Sequence, residues 1–386
     1  MKIAMISPYF HPVIGGIETY VLELSRELIN QGHEVFVFTS NKTMAGEYDL
    51  FPKYEEKEEI KIFRFKVFPI TRGVEFWFGF IRKLLEINPD IVHGHKIGFS
   101  INDLCAYTCR MKKIPCIATT HGVPYISSVH KEPFLRDIYL RTVPCRTVKL
   151  FDQIIAISPI ELPWLRRSGV PDDRLHIISG GVSRRIFEVR FDPEEFKEKY
   201  GIESCMILYL GRLVDKKGID HLIRATPILL KDLPDLKVVI AGPDCGMMRK
   251  LKKLAYELRV EKNIVFTGPL SEKEKYAAIA SSEALVLPSS FEAQGLVLME
   301  AQALGTPVIA TRQGGVPYFI KDYENGILID YGRPTQIAEA LKKVLNDEKL
   351  AHKLGETGKS IAKKYTWDRI AEKILSVYED ALVSQR

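Results

Sequence analysis

The stretch EALVLPSSFEAQGLVLMEAQALGTPVIAT, residues 283–311, decides how this chain folds. A short apolar run, EALVLPS, ends in a polar loop, SFEAQG; a helical pattern starts near Gly295 or Leu296 and breaks at Gly305, before a second apolar run, TPVIAT. Strand, helix and strand in that order make a βαβ unit, which forces parallel pairing with a helix on the face of the sheet. Glu292 and Glu300 stand eight positions apart with Gly295 between them. A carboxylate turned toward a packed interior is costly without a partner, so something polar is expected at this helix start.

The same alternation runs outward in both directions. CMILYLGRL (205–213), LKVVIAGPD (236–244), NIVFTGPL (263–270) and NGILID (325–330) are further strand-like runs separated by helical stretches. Upstream, KIAMIS, the loop PYFHPVIGG, a helical pattern over 18–31 and EVFVFTS repeat the unit, followed by strand-like DIVHGH, PCIATTH and QIIAIS. The expectation is an α/β protein with two Rossmann-like doubly wound parallel-sheet domains. The first covers 1–187 plus a returning C-terminal helix within 366–386, and the second covers 188–365. In open parallel sheets ligands bind beyond the carboxyl ends of the strands, so two such domains facing one another share an interdomain cleft.

Composition agrees with a two-domain globular protein: 386 residues, 46% hydrophobic and 27% charged. A net charge of +6, spread along the chain, does not mark a nucleic-acid binder. The start, MKIAMISPYF, has an apolar run cut short by Pro8, and no uncharged stretch reaches the ~18 residues that span a bilayer. A cytoplasmic protein is expected. Six cysteines, with no C-x-x-C pair and no histidine at zinc spacing, read as reduced thiols.

Candidate chemistry collects at the strand ends. Gly15 and Gly16 precede the first helix, where bare backbone lets an anion approach the helix N-terminus. The loop lacks G-x-G-x-x-G, which counts against a dinucleotide dehydrogenase. In GRLVDKKG, Arg212 and Lys217 suit a diphosphate. Two glutamates on either side of an anion-binding helix start then suit the hydroxyls of two sugars, one on each side of that diphosphate. That describes a sugar nucleotide. No Asp-x-Asp cluster is present to hold a divalent ion.

GGIETY, GRLVDKKG, AGPD, FTGPL, the 288–311 segment, GGVPY and ENGILI, in this order, resemble the retaining glycosyltransferases of family 4, which have the GT-B fold. The resemblance covers nearly the whole chain, and the E-x7-E pattern is its most specific element. It implies that Glu300 binds the nucleotide ribose, Glu292 the transferred sugar, and Arg212, Lys217 and the amides at Gly295 and Leu296 the diphosphate. It also implies Gly15, Gly16, Leu270 and Gln294 as donor contacts and His121, in TTHG, as the residue beside the sugar. Where many relatives have an aromatic residue this chain has Gln294, and where many have Glu after GGVP it has Tyr318.

The implied reaction is metal-independent retaining transfer, with no cofactor, from a UDP-, GDP- or ADP-linked sugar to a glycan or lipid-linked acceptor. The alternatives are an epimerase of the same fold and a catalytically silent sugar-nucleotide-binding protein. Two stretches of the first half, VEFWFGFIRKLLEI (74–87) and the basic segment 131–149, read either as an amphipathic core helix and a solvated basic face or as a peripheral contact with anionic lipid at the inner face of a membrane.

Overall fold

The computed structural model describes residues 1–383 apart from 44–46, 48, 72 and 124–133. The chain divides into two compact units, Met1–Gly180 with Trp367–Arg386, and Gly181–Thr366.

The N-terminal unit is built on an eight-stranded sheet. Lys2–Ile6 lies in its interior, with Glu34–Ser40 on one side and Ile91–His95 on the other; Ile60–Phe65 continues past the former, and Cys116–Thr119, Gln153–Ala156 and Leu175–Ile177 past the latter. These pairings are parallel, and only the edge strand Tyr54–Lys57 runs antiparallel. The central strands are buried on both faces, which is why KIAMI and EVFVFTS carry apolar runs rather than strict alternation. The helix Gly16–Asn30 buries Tyr20, Val21, Leu24 and Leu28 at helical spacing. The final helix, Trp367–Val383, packs against it, with the Trp367 ring edge-on to Tyr20 at 4.8 Å.

The C-terminal unit holds a six-stranded parallel sheet ordered Ile264–Gly268, Lys237–Ala241, Met206–Leu210, Ala284–Leu287, Val308–Thr311, Ile327–Ile329. Counted along this unit the order is 3-2-1-4-5-6, that of a dinucleotide-binding sheet, and the order reverses between Met206–Leu210 and Ala284–Leu287. The three glycines closing the first three strands allow close backbone approach: a Cβ on Gly242 would sit 2.0 Å from the Gly211 carbonyl oxygen, and the Gly242 amide donates to the Gly268 carbonyl at 2.8 Å.

Two expectations change. The division falls at Gly180/Gly181 rather than near 188, because Val182 and Ile186 pack with Tyr276, Met299, Ala303 and Ala362 of the second unit and the Val182 amide donates to Tyr365. Residues 74–87 are not one helix. Val74–Trp77 pairs with Val67–Thr71 as a hairpin, and the helix Phe80–Ile87 begins only after Gly79, at φ +79°. The strands Tyr54–Lys57 and Ile60–Phe65 are further additions to the elements expected from the sequence. In the basic stretch 131–149, Lys131 and Glu132 lie outside the described residues, and Phe134–Thr142 is a helix. Among the described residues no helix is long and apolar enough to cross a membrane.

Candidate functional site

In the C-terminal unit, the loops following the two strands at the reversal carry Arg212–Lys217 and Ser289–Gly295. Arg212 follows Gly211 at the end of its strand, and its carbonyl accepts from the Tyr209 hydroxyl at 2.9 Å. Lys217 ends a short 3-10 turn, Asp215–Lys217, closed by Gly218 at φ +62°, where a Cβ would strike the Pro288 carbonyl oxygen at 2.2 Å. The two loops are tied at their backbones, the Ser290 amide donating to the Lys216 carbonyl at 2.8 Å.

That tie brings the side chains together. The Lys217 ammonium pairs with the Glu292 carboxylate, both nearly buried, and the Ser289 hydroxyl donates to the same carboxylate at 2.6 Å. Burial pushes the Glu292 carboxyl up, but the Lys217 and Lys216 charges and the two hydrogen bonds outweigh it, leaving it below the ordinary glutamate range. The backbone is fixed as well: the Gly315 amide donates to the Glu292 carbonyl at 2.8 Å, and a Cβ on Gly314 would meet that oxygen at 2.0 Å.

Gly295, at φ +83°, caps the helix Leu296–Ala303, whose first-turn amides open toward the same loop end. Glu300 lies on this helix and pairs with Lys275 of the helix Glu272–Ala280 at 2.5 Å. Sequence reasoning asked for a neutral, donor-rich partner for each glutamate. The protein supplies a lysine to each instead, since a nearly buried carboxylate needs a compensating charge close by. No spacing in the chain announces Lys275, a partner on another helix. The Gln294 side chain is buried and its amide meets the Met299 sulfur at 2.7 Å. Leu270, between Ile264–Gly268 and the next helix, packs on the core of the unit.

In the N-terminal unit, Gly15 precedes the helix Gly16–Asn30, and a Cβ added at Gly16 would meet nothing within 4 Å. Packing therefore does not require a glycine there. His121 follows the strand Cys116–Thr119 with a left-handed backbone, φ +50°, a costly conformation that needs support. Lys96 donates to the His121 and Gly122 carbonyls at 2.8 and 2.9 Å. The buried Glu161 carboxylate accepts from the Gly122 amide at 2.6 Å, the Thr120 hydroxyl at 2.5 Å and the Ile157 amide at 2.7 Å.

The imidazole of His121 meets His95, Nε2 to Nδ1 at 3.1 Å, with Tyr20 edge-on at 4.7 Å. The other nitrogen of His95 faces the Met5 sulfur at 3.4 Å, an acceptor, so its proton belongs on Nε2 and its Nδ1 accepts from His121. His93 stacks beside His95 at 4.1 Å and bridges the Tyr378 hydroxyl of the final helix, at 2.8 Å, to Thr119, at 2.7 Å. Burial holds all three imidazoles below the usual histidine range, His95 at about 3, so each is neutral at pH 7. The HGH pair is thus buried and hydrogen-bonded, and His95 touches His121 directly.

Among the described residues one group of side chains is close enough to share a metal ion, Cys105, Cys109 and Cys116, and it lies in the apolar core of the N-terminal unit. Asp244 caps its own loop, accepting from the Gly246, Met247 and Met248 amides, and Asp215 pairs with Lys250.

Residues 14–185 match the family model described as Glycosyltransferase Family 4, and residues 192–361 that described as Glycosyl transferases group 1. The chain is 29% identical to an uncharacterized glycosyltransferase of Methanocaldococcus jannaschii over 99% of both chains. It is 28% identical to a D-inositol 3-phosphate glycosyltransferase of Corynebacterium aurimucosum over 99% of this chain and 96% of the relative. Its fold is that of a sucrose-phosphate synthase from Thermosynechococcus elongatus, a GT-B structure, with a TM-score of 0.81 over 99% of both chains at 21% identity.

Proposed function

The chain belongs to the GT-B glycosyltransferases that join a family 4 domain to a group 1 domain, and from that premise we propose a metal-independent, retaining transfer of a sugar from a nucleotide diphosphate to an acceptor hydroxyl. The observation that carries it is the pair of nearly buried Lys–Glu contacts, Lys217 with Glu292 and Lys275 with Glu300, on either side of the Leu296 helix start at the reversal of a 3-2-1-4-5-6 sheet. A structural core has little use for two such pairs, since well-packed apolar residues are often equally stable there. A donor site does. The helix amides, Arg212 and Lys217 offer positive charge to a diphosphate, while the carboxylates accept from sugar hydroxyls: Glu292 from the transferred sugar, Glu300 from the ribose.

In the proposed reaction the bond between the anomeric carbon and the phosphate oxygen breaks, and negative charge grows on the departing diphosphate. Arg212, Lys217 and the amides at Gly295 and Leu296 stabilise that charge where it develops. The acceptor oxygen bonds to the anomeric carbon on the face the diphosphate leaves, and its proton passes to a phosphate oxygen. His121, neutral and fixed by His95, hydrogen-bonds a sugar hydroxyl, and Gly16 leaves room for the diphosphate. The acceptor is a glycan or lipid-linked hydroxyl.

Thermal shift against UDP-, GDP- and ADP-sugars tests the donor site: at about 100-fold saturation the matching donor raises stability by roughly 2.7 kcal/mol. Glu300→Ala removes most of that shift. Turnover with the matching donor persists in EDTA and preserves the anomeric configuration, read by NMR. The acceptor panel includes D-inositol 3-phosphate, after the name of the corynebacterial relative. A donor shift without transfer to any acceptor favours a silent binding protein, and a product epimerised on the nucleotide favours the epimerase.

A further inference from the structure

The hairpin Val67–Thr71/Val74–Trp77 stands as its own two-stranded sheet. Its pairing sets Phe68 opposite Phe76 and Val67 opposite Trp77, so alternation divides the ribbon into two faces. One face is core: Val67 and Trp77 are buried, and the buried Glu75 carboxylate pairs with Lys42. The opposite face is also apolar yet lies in water, with Phe68 60%, Ile70 60%, Phe76 49% and Phe78 52% exposed. Phe76 and Phe78 pack edge to face at 5.1 Å, so these rings form one surface rather than scattered side chains. A half-buried strand normally turns polar residues outward, and a contiguous apolar patch marks a contact surface.

We propose that this hairpin face docks the protein onto an anionic lipid bilayer. Charge selects that occupant. Lys66, whose carbonyl accepts from the Phe78 amide, is exposed beside the patch, and Arg82 is exposed on the helix following the hairpin, where the exposed Glu86 is paired with Lys83. The one acidic residue of the hairpin, Glu75, is buried against Lys42 and shows the surface no negative charge. An apolar aromatic patch bordered by cations suits the boundary between acyl chains and anionic headgroups. The carrier is a two-stranded ribbon, not the amphipathic helix that the sequence around 74–87 suggested. The proposal does not depend on the donor site, and its test contains neither sugar nucleotide nor acceptor.

Cosedimentation of the full chain with phosphatidylcholine vesicles, with and without phosphatidylglycerol, is the experiment. The expected result is binding at least about tenfold stronger to the anionic vesicles, weakened by salt, and lost in a Phe68→Ser/Phe76→Ser variant with an unchanged Tm. If that variant does not fold, Phe78→Ser with Arg82→Glu asks the same question at the border. No binding to anionic vesicles, or binding that both variants retain, overturns the proposal. So does light scattering that shows a dimer dissociated by the substitutions while vesicle binding stays constant, which would make the face a contact between copies.

Discussion

The two units end their parallel sheets in opposite chemistry. At the strand ends of the N-terminal unit lie neutral imidazoles, His93, His95 and His121, buried and hydrogen-bonded, His95 to His121 and His93 to Tyr378 and Thr119. At those of the C-terminal unit they are charged, with Lys217 on Glu292 and Lys275 on Glu300. Both solutions satisfy buried polar atoms, but they suit different ligands. Fixed charges at a helix start can meet a diphosphate, whereas neutral donors and acceptors in a rigid frame suit hydroxyls. The clamps differ accordingly: Glu161 and Lys96 hold the His121 loop by its backbone, while Lys217 meets Glu292 side chain to side chain.

The charged half is broken hardest by Lys217→Ala. It removes the proposed diphosphate contact and strands the nearly buried Glu292 charge, so turnover falls by at least about a hundredfold and the C-terminal unit loses roughly 3–5 kcal/mol. Steady-state kinetics together with denaturant unfolding check this. Full activity in that variant would mean that the pair is structural only.

Acid separates the two halves next. Histidines whose folded pKa lies below the unfolded value of 6.5 stabilise fully above pH 6.5, and that stability is lost as pH falls below it. Each imidazole contributes on the order of 1 kcal/mol per pH unit in that window. The buried carboxyls of Glu161 and Asp103, pushed up by burial, act with the opposite sign and partly offset this. Glu292, held below its ordinary 4.5, costs the C-terminal unit stability only as pH falls below about that value. Hydrogen exchange between pH 7 and 5 should therefore show the N-terminal unit loosening first. Loosening of both units together would erase the distinction.

The smallest expected effect on stability is at Gly16. Ala there meets open space, so Gly16→Ala leaves stability unchanged to within about 0.5 kcal/mol while weakening donor binding, measured by calorimetry. Unchanged donor affinity would remove Gly16 from the site and leave its glycine without a reason.

Much of the fold was legible. Strands such as Glu34–Ser40, Lys237–Ala241 and Ala284–Leu287 are continuous apolar runs because parallel sheets are buried on both faces, and Gly and Pro punctuate them. The helix start at Leu296 was readable from Gly295. The hairpin was not: VEFWFGFI is apolar but for Glu75, and neither period stands out in a short run of that kind. Edge strand Tyr54–Lys57 is polar and half-exposed, which hides it for the opposite reason.

By itself the sequence determined the order of elements, the parallel sheets and the residues that carry charge at their ends, because hydrophobic periodicity and turn residues act over short stretches of chain. Only the tertiary structure decided who meets whom: Lys217 with Glu292, Lys275 with Glu300, His95 with His121, and Glu161 beneath the TTHG loop. Those partners lie 25 to 75 positions apart. A buried charge or imidazole takes its pKa and its orientation from neighbours in space, and contacts over such separations exist only once the sheets have closed.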